Sequence, residues 1–477
     1  MNQPIEHFLL QCRHVVGEAF VLTGEHAMGS YLTDYRQRYT GAAIAVLKPA
    51  NTLQVSELVQ LCNQYQVSIV PQGGNTGLVM GSVPDQSGHA VVLSLLRLNQ
   101  IRAIDPVNDT ITVEAGCLLQ QVQQAAQATN RLFPLSLASE GSCTIGGNLS
   151  TNAGGTAVLH YGTMRALCLG LEVVTASGQI WDGLRGLRKD NTGYDLRDLY
   201  IGAEGTLGII TAAVLKLFPR PRSVATALAC LPSVEAALEL FHFIRGNGKD
   251  CVLSAFELMS AYSLTLVQQH FPAIRQPQLA AYPYYVLIEV SSQQDSPVIT
   301  EALETVLHQA LECHLIPDAL IATSLTQSAE FWNIRESISE AQKAEGKNIK
   351  HDISIPISDI GRFISQTDAL LQQQFPGCRM VTFGHVGDGN LHYNVSAPIN
   401  SSVDAFLTEQ NAINRVVYDS VAAFSGSISA EHGLGALKCE EILRYKSPVE
   451  MQLMRSIKQA LDPNNLMNPG KVVTPLP

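Results

Sequence analysis

The sequence lacks the features of several common protein classes. No run of Lys or Arg stands out, and 31 Lys plus Arg are outnumbered by 42 Asp plus Glu, for a net charge of −11. This balance argues against a surface for nucleic acid or anionic membranes. No stretch of about 18 uncharged apolar residues occurs, because the most apolar segment, residues 199–218, contains Glu204 and Lys216. No transmembrane segment is therefore predicted.

Paired cysteines and a secretory signal are missing as well. The ten cysteines are scattered and include no Cys-x-x-Cys pair. Such single cysteines are typical of small core residues in a reducing compartment. The first residues, Met1-Asn-Gln-Pro-Ile-Glu, are not a basic segment followed by an apolar one. We therefore predict a cytoplasmic protein without structural disulfides.

The composition is that of a large folded protein. The chain has 477 residues, of which 46% are hydrophobic and 15% charged, enough for two or three domains with buried cores. Changes in hydrophobic period predict helices and strands in alternation. The helices are expected at 51–65, 118–129, 233–245, 296–311 and 358–374, and the strands at 67–71, 91–95, 110–114 and 284–290.

Proline and glycine divide the chain into segments. Pro219-Arg-Pro-Arg stops regular structure, and the density of glycine falls after it. We therefore predict a first domain over 1–220, a second α+β domain over 221–401 and a third segment over 402–477. The third segment contains a long helical stretch, a glycine-rich loop and a final helix.

Glycine is concentrated in the first domain, where 20 of the 36 glycines lie between Gly73 and Gly208. They cluster in the loops 71–82, 139–156 and 202–211. Neighbouring glycines let main-chain N–H groups converge into a nest for an anion. No loop matches G-x-G-x-x-G or G-x-x-x-x-G-K-[ST], which disfavours a Rossmann site and a P-loop. Tight turns alone would also explain any one loop, but three such loops favour one extended phosphate-containing ligand.

A metal site is predicted near the end of the second domain. Two strand-like runs flank Gly387-Asp-Gly-Asn390, and a hairpin pairing 386 with 391 would set His385 directly opposite His392, ~5 Å apart. Asn394 would face the same way. Glu431 and His432 lie in a distant glycine-flanked turn. Two histidines and a carboxylate suit Zn²⁺, or alternatively Fe²⁺ or Mn²⁺. An ordinary hairpin with surface histidines is the alternative.

Two basic residues are candidates for binding an acidic substrate. The segment 331–339 is helical in pattern and places Arg335 and Ser339 one turn apart on one face. Lys350 begins a strand-like run. Arginine offers a planar fork to a carboxylate and lysine a point charge, although single basic residues are more often solvated. We expect His351 to be an exposed neighbour.

The glycine segments 71–77, 146–155 and 202–209 together resemble the flavin-binding segments of the vanillyl-alcohol-oxidase/PCMH-type family of FAD oxidoreductases. The resemblance implies a PCMH-type FAD-binding domain. It also implies non-covalent FAD, because Asn75 stands where some members carry the histidine that is linked to the flavin. The residues that it implies at the FAD are Pro71, Gly73, Gly74, Asn75, Thr76, Gly77, Ser82, Gly141, Ser142, Ile145, Gly146, Gly147, Asn148, Asn152, Gly155, Gly205, Gly208, Ile209 and Asn468.

The segments 384–392 and 431–433 resemble the D-2-hydroxyacid dehydrogenase branch of that family. The resemblance implies an α+β substrate (cap) domain and a C-terminal helical segment that returns to the flavin through Asn468-Pro-Gly-Lys. It implies metal ligands, with zinc expected, and one catalytic base. The metal ligands are His385, His392 and Glu431, and the base is His432. By the same resemblance, the residues that bind the substrate are Arg335, Ser339 and Lys350, to which we add Asn394.

The expected reaction is oxidation of a D-2-hydroxyacid to a 2-oxoacid, with hydride transfer to FAD and metal-assisted deprotonation of the hydroxyl. Arg335 with Lys350 indicates a diacid, so D-2-hydroxyglutarate is the expected substrate. D-lactate, D-malate and glycolate are alternatives. Electron-transfer flavoprotein, a quinone or a cytochrome would accept the electrons, and a homodimer is the expected self-association. A metal-dependent hydrolase and a non-catalytic flavin subunit are the rival interpretations.

Overall fold

The chain divides into two units. The computed structural model describes residues 3–248 and 251–474. Unit 1 comprises Met1–Gly155, Gly162–Arg220 and His432–Pro477, and unit 2 comprises Thr156–Tyr161 and Pro221–Glu431. Of the segment expected over 402–477, the part before His432 thus groups with unit 2 and the remainder with unit 1.

Strands form where apolar, often β-branched residues run between turn residues. The predicted strands near 67–71, 91–95, 110–114 and 284–290 are confirmed. In chain order, the strands are β1 (Val21–Leu22), β2 (Ala45–Leu47), β3 (Ser68–Gln72), β4 (Ala90–Ser94), β5 (Ile101–Asp105), β6 (Thr110–Glu114), β7 (Arg131–Leu132), β8 (Cys168–Thr175), β9 (Ile180–Gly183), β10 (Gly208–Lys216), β11 (Phe218–Pro219), β12 (Ser223–Leu231), β13 (Val252–Ser260), β14 (Tyr284–Ser292), β15 (Asp318–Ile321), β16 (Asp352–Ser354), β17 (Arg379–Gly384) and β18 (Asn390–Ser396).

The five predicted helices are confirmed to within a few residues. Short 3₁₀ turns at Glu18–Phe20 and Ile357–Asp359 accompany the α-helices. In chain order, the α-helices are α1 (Gln3–Val16), α2 (Glu25–Leu32), α3 (Thr52–Tyr65), α4 (Leu119–Ala128), α5 (Ile145–Ser150), α6 (Val158–Tyr161), α7 (Met164–Leu167), α8 (Arg197–Tyr200), α9 (Val234–Asn247), α10 (Ala261–His270), α11 (Ser296–Glu312), α12 (Leu325–Glu345), α13 (Ile360–Gln374), α14 (Val403–Thr408), α15 (Gln410–Ala423), α16 (Ile442–Tyr445) and α17 (Pro448–Leu461).

Helix α3 illustrates how local sequence sets the boundaries of an element. The Asn51 side chain caps the helix by accepting a 3.0 Å hydrogen bond from the Gln54 N–H. Gln66 ends the helix in a left-handed conformation, with φ of 54°. The apolar face predicted from the spacing is buried, namely Val55, Leu58, Val59 and Cys62.

Unit 1 contains two principal sheets. One has the order β1-β2-β4-β3, in which β2 and β3 both run parallel to β4. The other has the order β5-β6-β10-β8-β9 and is antiparallel. The first sheet packs its apolar residues against α1 and α3. The C-terminal segment joins it directly, because Ile69 of β3 forms a parallel bridge with Met467.

Unit 2 is built on one antiparallel sheet with the order β15-β12-β14-β13-β17-β18-β16. Strand β13 lies inside this sheet, between β14 and β17. Helices α10 and α12 pack their apolar residues against one face and bury Phe331, Ile334 and Ile338. The alternation of helices with parallel and antiparallel sheets confirms the predicted α+β class. Within residues 3–248 and 251–474, no helix has the length and apolarity needed to cross a membrane.

Unit 2 also holds a half-buried carboxylic acid, Asp368, against a buried phenol, Tyr393. Asp368 of α13 accepts a hydrogen bond from the Tyr393 hydroxyl of β18. Burial raises the pKa of Asp368 to about 6, although the hydrogen bond from Tyr393 opposes the shift. The folded state therefore binds this proton more tightly than the unfolded state does. The stability that the proton contributes is lost as the pH rises through 6.

We predict that Asp368→Asn raises the free energy of unfolding, relative to the wild-type protein, by more at pH 7.5 than at pH 4.5. An amide still accepts the hydrogen bond but cannot ionise, so the variant should gain about 2 kcal/mol relative to wild type between pH 4.5 and pH 7.5. Urea unfolding of both proteins at pH 4.5, 6 and 7.5 measures the difference in the free energy of unfolding. A difference that stays the same at all three values would show that Asp368 does not titrate near 6.

Candidate active site

The loop after β3 presents a set of free main-chain donors. Residues 73–77 form no hydrogen bond through their N–H groups to any acceptor among the described residues. Five successive N–H groups without a partner form the kind of concave donor surface that binds phosphate oxygens. This part of unit 1 fits the pyrophosphate of FAD, which the family resemblance implies here.

Close packing of the glycine loops explains why several of these positions carry no side chain. A Cβ on Gly73 would lie 2.2 Å from the Thr144 Oγ1, and one on Gly74 would lie 2.0 Å from the Ser142 carbonyl oxygen. A Cβ on Gly155 would lie 2.0 Å from the Ser136 carbonyl oxygen. The loops that the sequence singles out therefore touch one another through their backbones. This packing supports the interpretation of these glycines as tight turns, and the ligand site stays a prediction.

The other residues expected at the FAD lie in the same unit, and several brace the loops. The Asn75 amide donates to the Thr33 carbonyl at 2.8 Å and accepts from the Ser82 hydroxyl at 2.8 Å. Asn152 accepts from the Arg165 N–H at 2.9 Å. Pro71 lies in β3, whereas Gly208 and Ile209 begin β10. Gly141 and Ser142 precede α5, and the first residues of that helix are Ile145, Gly146, Gly147 and Asn148.

Asn468 occupies a buried position in unit 1. Its side-chain nitrogen donates to the carbonyl oxygens of Gly81 and Glu204, both at 2.8 Å. Its Oδ1 is buried and accepts no hydrogen bond from the described residues. A buried acceptor without a donor is costly, so this atom is suited to a donor on a bound group.

Glu204 joins its own glycine-rich loop to the glycine-rich segment 433–435 of unit 1, and sequence reasoning missed it. Its Oε1 accepts from the Leu434 N–H at 2.8 Å, and its Oε2 accepts from the Gly435 N–H at 3.0 Å. A Cβ on Gly433, which has φ of 78°, would lie 2.5 Å from the Glu204 Oε1. The segment that follows His432 is therefore held by this carboxylate. Burial raises the pKa of Glu204, although the two N–H groups favour its charged form.

The predicted metal ligands come together within unit 2. One nitrogen each of His385 and His392 and one carboxylate oxygen of Glu431 lie within 4.8 Å of one another. The His385 Nε2 is 3.6 Å from the Glu431 Oε1, and the rings of the two histidines are 5.6 Å apart. Asp352 accepts from the Glu431 N–H at 2.8 Å and so fixes the turn. This donor set fits a divalent ion with coordination positions left open.

The predicted register of the hairpin is wrong by two residues. His392 pairs with Phe383, whereas the prediction set it opposite His385. Strand β17 ends at Gly384, whose φ of 152° turns the chain, and the turn folds His385 back toward His392. The two imidazoles therefore come near each other through this turn, and not as a directly opposed pair on the two strands.

Glu257 is a second residue that sequence reasoning did not identify. It lies on β13, is 1% exposed, and its Oε1 is 2.6 Å from the His385 Nδ1. Its Oε2 accepts from the Arg335 Nε at 2.9 Å. The residues before and after Glu257 in β13 are apolar and buried. The one signal in the sequence was therefore an acidic residue within an apolar strand.

Charge is unevenly distributed around the cluster. Burial opposes ionisation of Glu257, but His385 and Arg335 outweigh it and lower its pKa. The same Glu257 raises the pKa of His385 against the effect of burial. Burial raises the pKa of Glu431, and Asp352 and Asp388 add to this shift while His385 opposes it. A surplus of carboxylates beside two imidazoles is an environment that a cation would stabilise.

The remaining predicted substrate residues differ in exposure. Ser339 of α12 and Lys350 before β16 are exposed, whereas Arg335 is buried. Asn394 is buried too; it accepts from the His351 N–H at 3.1 Å and donates to Gln342 at 3.0 Å. The expectation that His351 is exposed is wrong. Its ring is buried, with Nδ1 2.8 Å from the Tyr393 carbonyl oxygen and Nε2 2.9 Å from the Asn414 Oδ1.

Two family models match the chain. The FAD binding domain matches residues 43–183, and the C-terminal domain of FAD linked oxidases matches residues 220–472. D-2-hydroxyglutarate dehydrogenase of Arabidopsis thaliana is 39% identical over 97% of this chain and 80% of the relative. The enzyme of that name from Xanthomonas citri pv. viticola is 38% identical over 93% and 92%. The chain belongs to the FAD-linked D-2-hydroxyacid dehydrogenase family.

Membership confirms that the protein is an FAD-dependent D-2-hydroxyacid dehydrogenase. A further relative, a putative D-lactate dehydrogenase of Schizosaccharomyces pombe, is 37% identical over 94% of this chain and 85% of the relative. Among solved structures, p-cresol methylhydroxylase matches with a TM-score of 0.78 over 99% of this chain and 98% of that chain. It is 17% identical, so it bears on the fold alone, and it confirms the predicted PCMH-type fold.

The predicted cytoplasmic location is wrong by the same comparison. The relatives from Arabidopsis thaliana, Danio rerio and Rattus norvegicus, at 38–39% identity, are named mitochondrial enzymes. Scattered cysteines indicate a reducing environment and do not distinguish one reducing compartment from another. The cysteine pattern was therefore not sufficient to predict the cytoplasm.

We predict that Glu204→Ala destabilises unit 1. The substitution leaves the N–H groups of Leu434 and Gly435 without their acceptor, at a cost of roughly 1–3 kcal/mol for each buried donor. Chemical unfolding of the flavin-bound protein, monitored by flavin absorbance, measures the decrease in the free energy of unfolding. Glu57→Ala, at an exposed position on α3, is the matched control and should change stability by less than about 0.5 kcal/mol. Equal stability of the two variants would contradict the role of Glu204.

Proposed function

We propose that this protein oxidises D-2-hydroxyglutarate to 2-oxoglutarate. The C2 hydrogen leaves as hydride to FAD, and the hydroxyl proton leaves to a base, so that a carbonyl forms at C2. The observation that carries the proposal is the convergence of His385, His392 and Glu431 within 4.8 Å beside the buried Arg335. The names of relatives at 37–39% identity over most of their length support the choice of substrate.

Unit 1 would hold the FAD. The free N–H groups of residues 73–77 would bind the pyrophosphate, and the unpaired Oδ1 of Asn468 would accept from a donor on the cofactor. Flavin supplies the hydride acceptor, while the protein supplies orientation and electrostatics. The Asn75 side chain is engaged with Thr33 and Ser82, which supports non-covalent attachment.

Unit 2 would hold a divalent ion, with Zn²⁺ the expected one. Two imidazoles and one carboxylate leave coordination positions for the hydroxyl and a carboxylate oxygen of the substrate. A bound ion of this kind lowers the pKa of a coordinated hydroxyl by polarising it. His385 presents Nε2 to the site because its Nδ1 is taken by Glu257 at 2.6 Å.

The remaining roles concern charge and proton transfer. Arg335 keeps one edge of its guanidinium unpaired, since its polar contacts among the described residues are all made by Nε and Nη2 with Glu257. It would bind the distal carboxylate, with Lys350 and Ser339 as further contacts. His432, which follows the ligand Glu431 in the chain, would accept the hydroxyl proton. Electron-transfer flavoprotein, a quinone or a cytochrome would reoxidise the flavin, and self-association as a dimer stays a prediction.

We predict stereospecific reduction of the flavin by diacids. Anaerobic bleaching of the bound FAD should be fast with D-2-hydroxyglutarate, slower with D-malate and D-lactate, and absent with the L-isomers. Metal content measured on the same sample should give about one equivalent of zinc per chain. The name of the Schizosaccharomyces pombe relative makes D-lactate the competing substrate. Faster bleaching by D-lactate would show that D-lactate, not D-2-hydroxyglutarate, is the preferred substrate. Full activity in metal-free protein would show that the reaction needs no metal.

We predict that His432→Ala slows flavin reduction by roughly 10²–10⁴-fold, the usual contribution of a general base. Stopped-flow measurement of flavin absorbance with saturating D-2-hydroxyglutarate gives the rate, and zinc and FAD contents should stay unchanged. His26→Ala, at an exposed position in unit 1, serves as the control. An unaltered rate in His432→Ala would assign the base to another residue.

A further inference from the structure

Both oxygens of the Glu257 carboxylate are used by groups with different proposed roles. The Oε1 lies 2.6 Å from the Nδ1 of His385, a proposed metal ligand. The Oε2 lies 2.9 Å from the Nε and 2.8 Å from the Nη2 of Arg335, a proposed substrate residue. The Glu257 side chain is 1% exposed, so water does not share these contacts.

The contact with His385 selects the nitrogen that faces the other ligands. A carboxylate on Nδ1 keeps the hydrogen there and leaves the Nε2 lone pair free. That Nε2 is the atom 3.6 Å from the Glu431 Oε1. Outer carboxylates of this type orient the imidazole and increase its basicity toward the metal.

The contact with Arg335 fixes the direction of its guanidinium. One edge of the fork is held by Glu257, and the carbon of the guanidinium lies 4.9 Å from the centre of the Phe383 ring. Phe383 is itself 4.9 Å from the ring of His392. The arginine is thereby restricted on two sides, and its remaining donors are the ones available to a carboxylate.

The backbone under Glu257 is rigid. Strand β13 pairs with β14 on one side and with β17 on the other, where Leu258 is opposite Gly384. His385 follows that glycine, and Arg335 projects from α12, which packs on the same sheet. A side chain anchored in an inner strand can hold two partners at a constant separation.

We propose that Glu257 is a positioning residue that links the metal ligand His385 to Arg335 and thereby sets the preference of the enzyme for diacids over monoacids. This proposal rests on the proposed function. A diacid would use both the metal ligands and the guanidinium, whereas lactate would use only the metal end. The position in which Glu257 holds the guanidinium relative to His385 would then decide how well the second carboxylate is bound.

The test is Glu257→Gln in the full-length flavoprotein. The amide has one acceptor oxygen, so it can serve His385 or Arg335 but not both, and it turns an NH₂ group toward the other. We expect zinc affinity, measured by competition with a chelating dye, to fall by about 10–100-fold. We expect the ratio of kcat/KM for D-2-hydroxyglutarate over D-lactate to fall by about tenfold or more.

Two further variants keep the proposal open to refutation. Glu345→Gln is the matched control, because the Glu345 carboxylate also joins a histidine and an arginine, His270 and Arg379, but neither is a proposed ligand or substrate residue. It should keep both values within twofold of wild type. Arg335→Lys, which cannot hold both contacts to the Oε2, should lower zinc affinity severalfold although Arg335 does not touch the ligands.

The outcomes separate this proposal from the proposed function. Wild-type protein without zinc, or without activity on D-2-hydroxyglutarate, would refute the proposed function itself. Zinc-containing, active wild type with unchanged values in Glu257→Gln would overturn the role of Glu257 alone. If Glu257→Gln changed only the zinc affinity or only the substrate ratio, Glu257 would not link His385 to Arg335. Unaltered zinc affinity in Arg335→Lys would lead to the same conclusion. If Glu257→Gln fails to fold, Arg335→Lys decides.

Discussion

A carboxylate removed from water must have each oxygen satisfied, and this constraint organises both units. In unit 1, Glu204 takes the N–H groups of Leu434 and Gly435 and so fixes the segment that begins with His432. In unit 2, Glu257 takes His385 and Arg335. Each case joins parts of the chain that are far apart in sequence. The loops around these carboxylates can be short and rich in glycine because charge, rather than apolar packing, holds them.

The same constraint explains why the histidine cluster is suited to a cation. Three carboxylates near Glu431 would repel one another if they were left alone, and burial adds to the cost of their charge. His385 offsets part of this charge, and Arg335 is already committed to Glu257. A divalent ion would supply the missing positive charge and would also take the lone pairs of the two imidazoles. Electrostatic demand and ligand chemistry therefore point to the same occupant.

Much of the fold was predictable because periodicity is a local property. Helix α3, strand β4 and the two strands of the hairpin follow from the residues that form them. The register of that hairpin was not predictable, since the φ of Gly384 depends on contacts with Asn390 and Leu391. The candidate site divides in the same way. Histidines and glycines are recognisable as motifs, whereas Glu204 and Glu257 look like single acidic residues in apolar runs.

The concentration of glycine in the first domain could reflect tight packing of turns or a ligand site. At Gly73, Gly74 and Gly155, a side chain would collide with a neighbouring loop, so packing alone requires glycine there. Packing does not explain why the N–H groups of residues 73–77 have no acceptor among the described residues. These residues are half-buried, so water can reach their donors, and an anion bound at this loop would be a shared acceptor for them. The close packing of the loops thus leaves a row of main-chain donors to which the anionic part of FAD would bind.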